Sequence, residues 1–401
     1  MQKERDPVIV QALRTPIADH RGVFKDVPAE NLLVVLIKEV MKRSKIDPER
    51  IEDAIFGNCQ AHETGNMARV AALKAGLPLS VPGMTLERQC TSGMEAISLS
   101  VNGIKVGEGD VYLCGGVESM TRRPYVLPKP PEAYMRVPPK FVFPFQLSPP
   151  EVGNPPMGIT AENLAEKYGI SREEQEVFAL KSHQKAVRAI KEGRFRDEIV
   201  PVVVPQRKGD PIVVDTDTHP REDTSLEKMA RLPPVFKEDG TVTAATSSPV
   251  TDGAAILMIV SRAVAESCHM EILGRVVSHA VVGNDPNIMG IGPAFSIPKA
   301  LARAGMTLDQ MDLVELNEAF AAQCLAVLKE LKAKGTPIDE EKLNVNGGAI
   351  ALGHPIAASG ARIVVTMLHE MKRRDARYGL AALCGGGGVS SAMVIERESG
   401  C

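Results

Sequence analysis

AASGARIVVTM, residues 357–367, resembles CTSGMEAISLS, residues 90–100, with Ser-Gly in register. Two more pairs of blocks flank this one in the same order. IEDAIFGN (51–58) resembles QMDLVELN (310–317), and VYLCGGVESM (111–120) resembles LAALCGGGGVSSAM (380–393). Three blocks in register at close spacings point to an internal duplication, not to the chance likeness of strand–turn–helix segments.

Working outward, strand-like and helix-like segments alternate along most of the chain, which predicts stacked α/β layers. PVIVQALRTP (7–16) reads as a strand and DAIFGN (53–58) as a short buried one. LLVVLIKEVMKR (32–43) repeats apolar residues at helical spacing. Between the copies the character changes. Residues 124–156 hold eleven of the 29 prolines, which excludes regular helix or central strand and predicts a long surface excursion. Ser171-Arg172-Glu173-Glu174 is a capping box that opens a helix to about Glu192. IVPVVVP and PIVVD flank Arg207-Lys208-Gly209-Asp210 as a hairpin would. The expected division is a first half over 1–120 and a smaller inserted domain over 121–250. The chain then returns to the first half until about 270, and 271–401 forms the second half.

Composition limits the function classes. The 401 residues are 44% hydrophobic and 24% charged, an ordinary globular balance. A net charge of −3 gives no reason to propose a nucleic acid or an anionic membrane as partner. No apolar run reaches the ~18 residues of a membrane span. MQKERDPVIV lacks the long apolar core of a signal peptide, and ERESGC lacks the aliphatic pair of a prenylation box. A soluble cytoplasmic protein is expected. The seven cysteines are odd in number and form no C-x-x-C pair, which argues against a disulfide framework and a zinc site. No metal is expected.

Four residues stand out for chemistry. Cys90 follows a strand-like TL and precedes a helix in which Ile97, Val101 and Ile104 recur and Gly107 and Gly109 mark the stop. A helix N-terminus with a nearby imidazole favours a thiolate and would lower the thiol's pKa. Position alone fits a nucleophile and a buried structural thiol equally. His354 lies in GGAIALGHPIAASGAR (347–362), a run of small apolar residues apart from the histidine and Arg362. A buried imidazole needs a hydrogen-bonding partner. In the duplicated scheme its loop matches the Cys90 loop, so a pseudo-twofold would bring the two together, against the alternative of a histidine bonded to backbone. Cys384 precedes four glycines between strand-like segments. No Gly-Lys-Ser/Thr follows, so this is no P-loop, and close approach of N–H groups to a ligand oxygen is the remaining use. Asn317 ends DLVELN and reads either as an N-cap or as an amide that polarises a carbonyl.

ERQCTSG, NEAFA, GGAIALGHPIAASGAR and LCGGGG, in this order, resemble the thiolase family, as do VTAATSSPVTDGAA and NIMGIGPA. The resemblance runs from about Val8 to Glu396. It implies a five-layered αβαβα fold of two similar halves with an inserted loop domain. It implies Cys90 as the nucleophile that becomes acylated, activated by His354. With Asn317, through a water, His354 would hold one thioester oxygen. Cys384 would be the acid/base at the acetyl carbon, and the N–H groups of Cys90 and Gly386 a second oxyanion hole. Coenzyme A would be a co-substrate lying on the loop domain, with no bound cofactor. Ser248 would lie near its pantetheine and Arg221 near its adenosine end, with Met157, Phe236, Met289 and Phe320 along the acyl and pantetheine path.

The implied activity is reversible thiolytic cleavage of 3-ketoacyl-CoA, in a homodimer or homotetramer. Four positions depart from common family residues: Glu87 for asparagine, Ala357 for glycine, Gly385 for isoleucine and Pro156 for histidine. The last tilts the reading toward broad 3-ketoacyl-CoA thiolases. An acetoacetyl-CoA thiolase is the alternative. A decarboxylating ketoacyl synthase fits less well, because those use Cys-His-His or Cys-His-Asn. A non-catalytic acyl-CoA-binding scaffold is the alternative outside enzymes.

Overall fold

The computed structural model describes residues 5–60, 64–129, 138, 140–142 and 146–398. The first half runs β1 (Pro7–Arg14), the two-residue β2 (Ala18–Asp19), α1 (Ala29–Ser44), β3 (Asp53–Gly57), α2 (Met67–Ala75), β4 (Met84–Leu86), α3 (Ser92–Val106) and β5 (Val111–Ser119). The chain then leaves the sheet. Among the described residues no helix or strand forms before α4 (Met157–Tyr168), as the prolines require. Next come α5 (Arg172–Lys191), the antiparallel hairpin β6 (Val202–Val204) and β7 (Ile212–Val214), and α6 (Leu226–Ala230). β8 (Thr251–Ser261) re-enters the sheet and leads to α7 (Arg262–Ser267). The second half runs β9 (Gly274–Gly283), α8 (Pro293–Ala304), β10 (Leu313–Leu316), α9 (Ala321–Ala333), α10 (Ala349–Leu352), α11 (Ile356–Arg374), β11 (Tyr378–Gly385) and β12 (Val389–Glu396). The capping box is formed on both sides: the Glu174 N–H donates to Ser171 Oγ, and the Ser171 N–H to Glu174 Oε2.

Sheet order is β10-β11-β12-β9-β1-β8-β5-β3-β4, with β2 on β8. Read outward from the β9–β1 junction, the two sides match strand for strand, except that β4 has no strand counterpart beyond β10. β3–β5 and β10–β11 are parallel. β5–β8 and β11–β12 are antiparallel, as are β8–β1 and β12–β9. The halves join where β1 meets β9 through two residue pairs, Val8 with Arg275 and Ile9 with Gly274. What differs is the link before the last strand of each half. Gly386–Gly388 suffices between β11 and β12, whereas the excursion with α4 to α6 lies between β5 and β8.

Strand residues alternate between cores, as a pleat requires. On β8, Ile256 and Met258 pack with Leu32 and Leu36 of α1, whereas Leu257 and Ile259 join Ile97 of α3 and Val364 of α11. On β12, Val394 packs with Ile297 of α8 and Val327 of α9, whereas Met393 and Ile395 turn to the middle. The result is five layers, αβαβα, with α3 and α11 as the buried centre. The Ser-Gly pairs that revealed the duplication meet there. A Cβ at Gly93 would stand 2.7 Å from the Ala357 carbonyl oxygen, and one at Gly360 would stand 2.7 Å from the Met94 nitrogen. Small residues at matched positions let the two helices cross closely, and the loops that precede them therefore lie side by side.

Candidate active site

Cys90 sits between β4 and α3, one residue before the N-cap Thr91. The turn into it is tight. Gln89 has φ of 49°, and Glu87 Oε1 accepts from both the backbone N–H (2.6 Å) and the side-chain amide (2.7 Å) of Gln89. His354 occupies the corresponding loop before α11. Its Nε2 lies 3.2 Å from Cys90 Sγ, and its Nδ1 lies 2.6 Å from Ser359 Oγ. The Ser359 hydroxyl donates to the Pro355 carbonyl at 3.2 Å, so it accepts from Nδ1–H. That assignment leaves the Nε2 lone pair facing the Cys90 thiol. Ser359 answers what a buried imidazole in this apolar run is bonded to.

The electrostatics differ from the sequence expectation of a lowered cysteine pKa. Burial pushes the Cys90 thiol up to about 12, although the N–H groups of Gly386 and of Cys90 itself pull it down, and Glu118 and Glu87 push it further up. Burial also lowers His354 to about 4, with the Arg362 charge acting in the same direction. The resting pair is a neutral thiol and a neutral imidazole. Desolvation of charge outweighs the helix N-terminus here because the cysteine lies at the foot of a cavity.

Cys90, His354, Gly386, Ser248, Met157, Met289 and Phe320 all line that cavity, which holds about 730 Å³. Phe236 supports its wall from behind, edge-on to Phe320 with ring centroids 6.0 Å apart. Asn317 and Cys384 are fully buried. Burial drives the Cys384 thiol far above its ordinary range, and the neighbouring Cys90 charge adds to the shift. Asn317 is not an N-cap. β10 ends at Leu316, and Phe320 occupies the position before α9. Neither its Oδ1 nor its Nδ2 finds a hydrogen-bond partner among the described residues. The duplicate residue Asn58 donates to Val117 O and Glu118 Oε1. By the sheet registers Glu118 matches Cys384 in the second half, since Ala54 pairs with Leu113 as Leu313 pairs with Gly379, so Asn317 has no matching carboxylate to bond. Arg221 stands apart from the cavity, in a separate surface groove with Arg188 and Lys191.

The glycines after Cys384 are required by geometry. Gly387 and Gly388 have φ of 79° and 81°. A Cβ on Gly386 would meet Leu147 Cδ1 at 2.7 Å, and one on Gly385 would meet Val389 Cγ2 at 2.9 Å. Sequence reasoning missed Ser359, although it belongs to the Ser-Gly match, and Glu118, whose signal is a lone carboxylate in the fully buried strand VYLCGGVES.

Fold and site together define a duplicated α/β enzyme with a buried thiol–imidazole pair. Models of the thiolase N-terminal domain and C-terminal domain match residues 7–263 and 270–397. The chain is 47% identical over 401 residues to an acetyl-CoA acetyltransferase of Pseudomonas aeruginosa, covering 98% of this chain and 100% of that protein. It is 47% identical over 393 residues to a probable acetyl-CoA acyltransferase of Staphylococcus aureus, covering 97% and 98%. The crystal structure of the Bacillus anthracis acetyl-CoA acetyltransferase superposes with a TM-score of 0.93 at 43% identity, over 99% of this chain and 100% of that one. The chain belongs to the thiolase family and is an acyltransferase. Among the described residues no helix is long and apolar enough to cross a membrane.

Proposed function

We propose that the protein cleaves 3-ketoacyl-CoA reversibly into acetyl-CoA and a shortened acyl-CoA through an acyl group on Cys90. The observation that carries this reading is the 3.2 Å contact of Cys90 Sγ with His354 Nε2 at the foot of the cavity. His354 takes the Cys90 proton as the sulfur attacks the 3-keto carbon. The carbon–carbon bond then breaks, its electron pair passes to the acetyl-CoA enolate, and the Cys384 thiol protonates the enolate carbon. In the second half-reaction a new coenzyme A gives its proton to the Cys384 thiolate and attacks the acyl group. Cys90 leaves and recovers its proton from the His354 imidazolium.

Developing oxyanions have two candidate sets of donors: His354 with Asn317, and the N–H groups of Cys90 and Gly386. The excursion over 121–250 carries coenzyme A in this reading, with Ser248 by the pantetheine and Arg221 by the adenosine end. Proton transfer directly from thiol to imidazole replaces a preformed thiolate, consistent with both groups being neutral at rest.

A second reading, an acetoacetyl-CoA thiolase working on the C4 substrate, is favoured by the names of several relatives. Initial thiolysis rates for C4 and longer 3-ketoacyl-CoA separate the two. The shared step is tested by incubating the protein with acetyl-CoA and mapping peptide masses. An acetyl adduct on Cys90, absent in Cys90→Ala, is expected; a wild-type protein that binds coenzyme A yet gains no adduct would overturn the proposal.

A further inference from the structure

Glu118 is the penultimate residue of β5 and is fully buried. Its carboxylate accepts four hydrogen bonds. Oε1 takes the Gln60 N–H at 3.0 Å and Asn58 Nδ2 at 3.2 Å, and Oε2 takes the N–H groups of Cys59 at 3.1 Å and Ala357 at 3.2 Å. These donors come from both halves. Cys59 and Gln60 follow β3 and line the cavity. Ala357 lies in the first turn of α11, three residues after His354. β5 can come this close because it has no side chain just before: a Cβ at Gly116 would stand 2.1 Å from the Ala357 carbonyl oxygen.

We propose that Glu118 is a positioning residue for the thiolase reaction, its buried carboxylate clamping the Cys59–Gln60 wall to the first turn of α11 and so fixing His354 against Cys90. The inference rests on the reading of Cys90 and His354 given above. The clamp requires charge. All four partners are donors, and a protonated acid would turn an O–H toward one of them and leave that donor unpaired. The titratable and charged groups that couple to Glu118 are Cys59 from the loop after β3, Cys90 from the loop before α3 and Arg123 from the chain after β5, with Glu87 acting on the same two thiols. Burial raises Glu118 to about 7, against the pull of the Gln60, Cys59 and Ala357 N–H groups. Cys90 at about 12 and His354 at about 4 do not change charge near pH 7.

The test is the single-turnover rate of Cys90 acetylation by acetyl-CoA, measured from pH 5.5 to 9, which avoids titration of the coenzyme A thiol. The wild-type rate is expected to fall on acidification, with a midpoint near 7. Glu118→Gln, which imitates the protonated acid, is expected to be slower by roughly tenfold or more at pH 8. It should lose the acid limb and approach the wild-type rate at pH 5.5. Glu118→Asp keeps the charge and shortens the reach, so it should keep the limb at a lower plateau. It also serves if Glu118→Gln does not fold. A Glu118→Gln rate reduced by one constant factor at every pH means a merely structural role and overturns the proposal. So does either variant acetylating at the wild-type rate at pH 8. If the wild type itself gains no acetyl group, the failure lies with the Cys90 reading.

Discussion

At the residue scale, function here depends on which proton sits on which atom. His354 serves as a base only if Nε2 is free, and the one group that fixes this is Ser359, through its contact with Nδ1. Ser359→Ala removes the acceptor and leaves a buried N–H unpaired, so the ring loses both its tautomer and its orientation. The expected outcome is a fall in kcat of roughly tenfold to a hundredfold, part of the ~10²–10⁴ that a positioned base supplies. KM for acetyl-CoA should hardly move, because Ser359 does not line the cavity. Steady-state kinetics give the split, and a rise in KM with unchanged kcat would refute the role. The Cys90 and His354 loops were legible in the sequence as matched positions of the two copies, and the 3.2 Å contact joins them. The direction of the Cys90 shift was not, because a helix N-terminus can be read from sequence whereas the depth of burial that outweighs it comes from tertiary packing.

At the scale of elements, the α3–α11 crossing decides whether the two loops meet. The matched Ser-Gly pairs were legible as a repeat, but their reason, contact between backbones, needed the packed helices. Gly93→Ala would place its Cβ 2.7 Å from the Ala357 carbonyl oxygen and 2.9 Å from the Ala361 nitrogen. Neither is the end of a flexible side chain, so the helices must part. A loss of about 1–3 kcal/mol is expected, the usual result of overpacking a core. The same shift should lengthen the Cys90–His354 distance and slow acetylation more than the stability change alone explains. Urea midpoints and single-turnover rates measured on one preparation check both; a stable variant with the wild-type rate would show that the crossing has slack. The duplication was legible in three short sequence blocks, but the order of the strands in the sheet was not. The N-cap reading of Asn317 did not survive, because the chain runs extended to Phe320 before α9 begins, and local sequence does not distinguish the cap from a residue three positions earlier.

At the scale of the whole molecule, one buried ion cluster joins the first half, the excursion and the second half. Arg14, at the end of β1, donates through Nε to Glu198 at 2.6 Å and through Nη1 and Nη2 to Asp217 at 2.7 and 2.9 Å. Glu198 also accepts from Thr366 of α11 at 2.9 Å, and Asp217 accepts the Ile17 N–H at 2.8 Å. Arg14, Glu198 and Thr366 are fully buried and Asp217 nearly so. Removing this cation leaves two buried carboxylates without the guanidinium that hydrogen-bonds both, with only the charge of Arg362 still acting on Glu198, so Arg14→Leu should destabilise the fold by roughly 3–5 kcal/mol near neutral pH. Urea midpoints of wild type and variant at pH 7 measure this. A loss well under 3 kcal/mol would mean that Arg14 stabilises mainly by packing against Phe195, whose ring lies 4.9 Å from the guanidinium carbon, and not by charge.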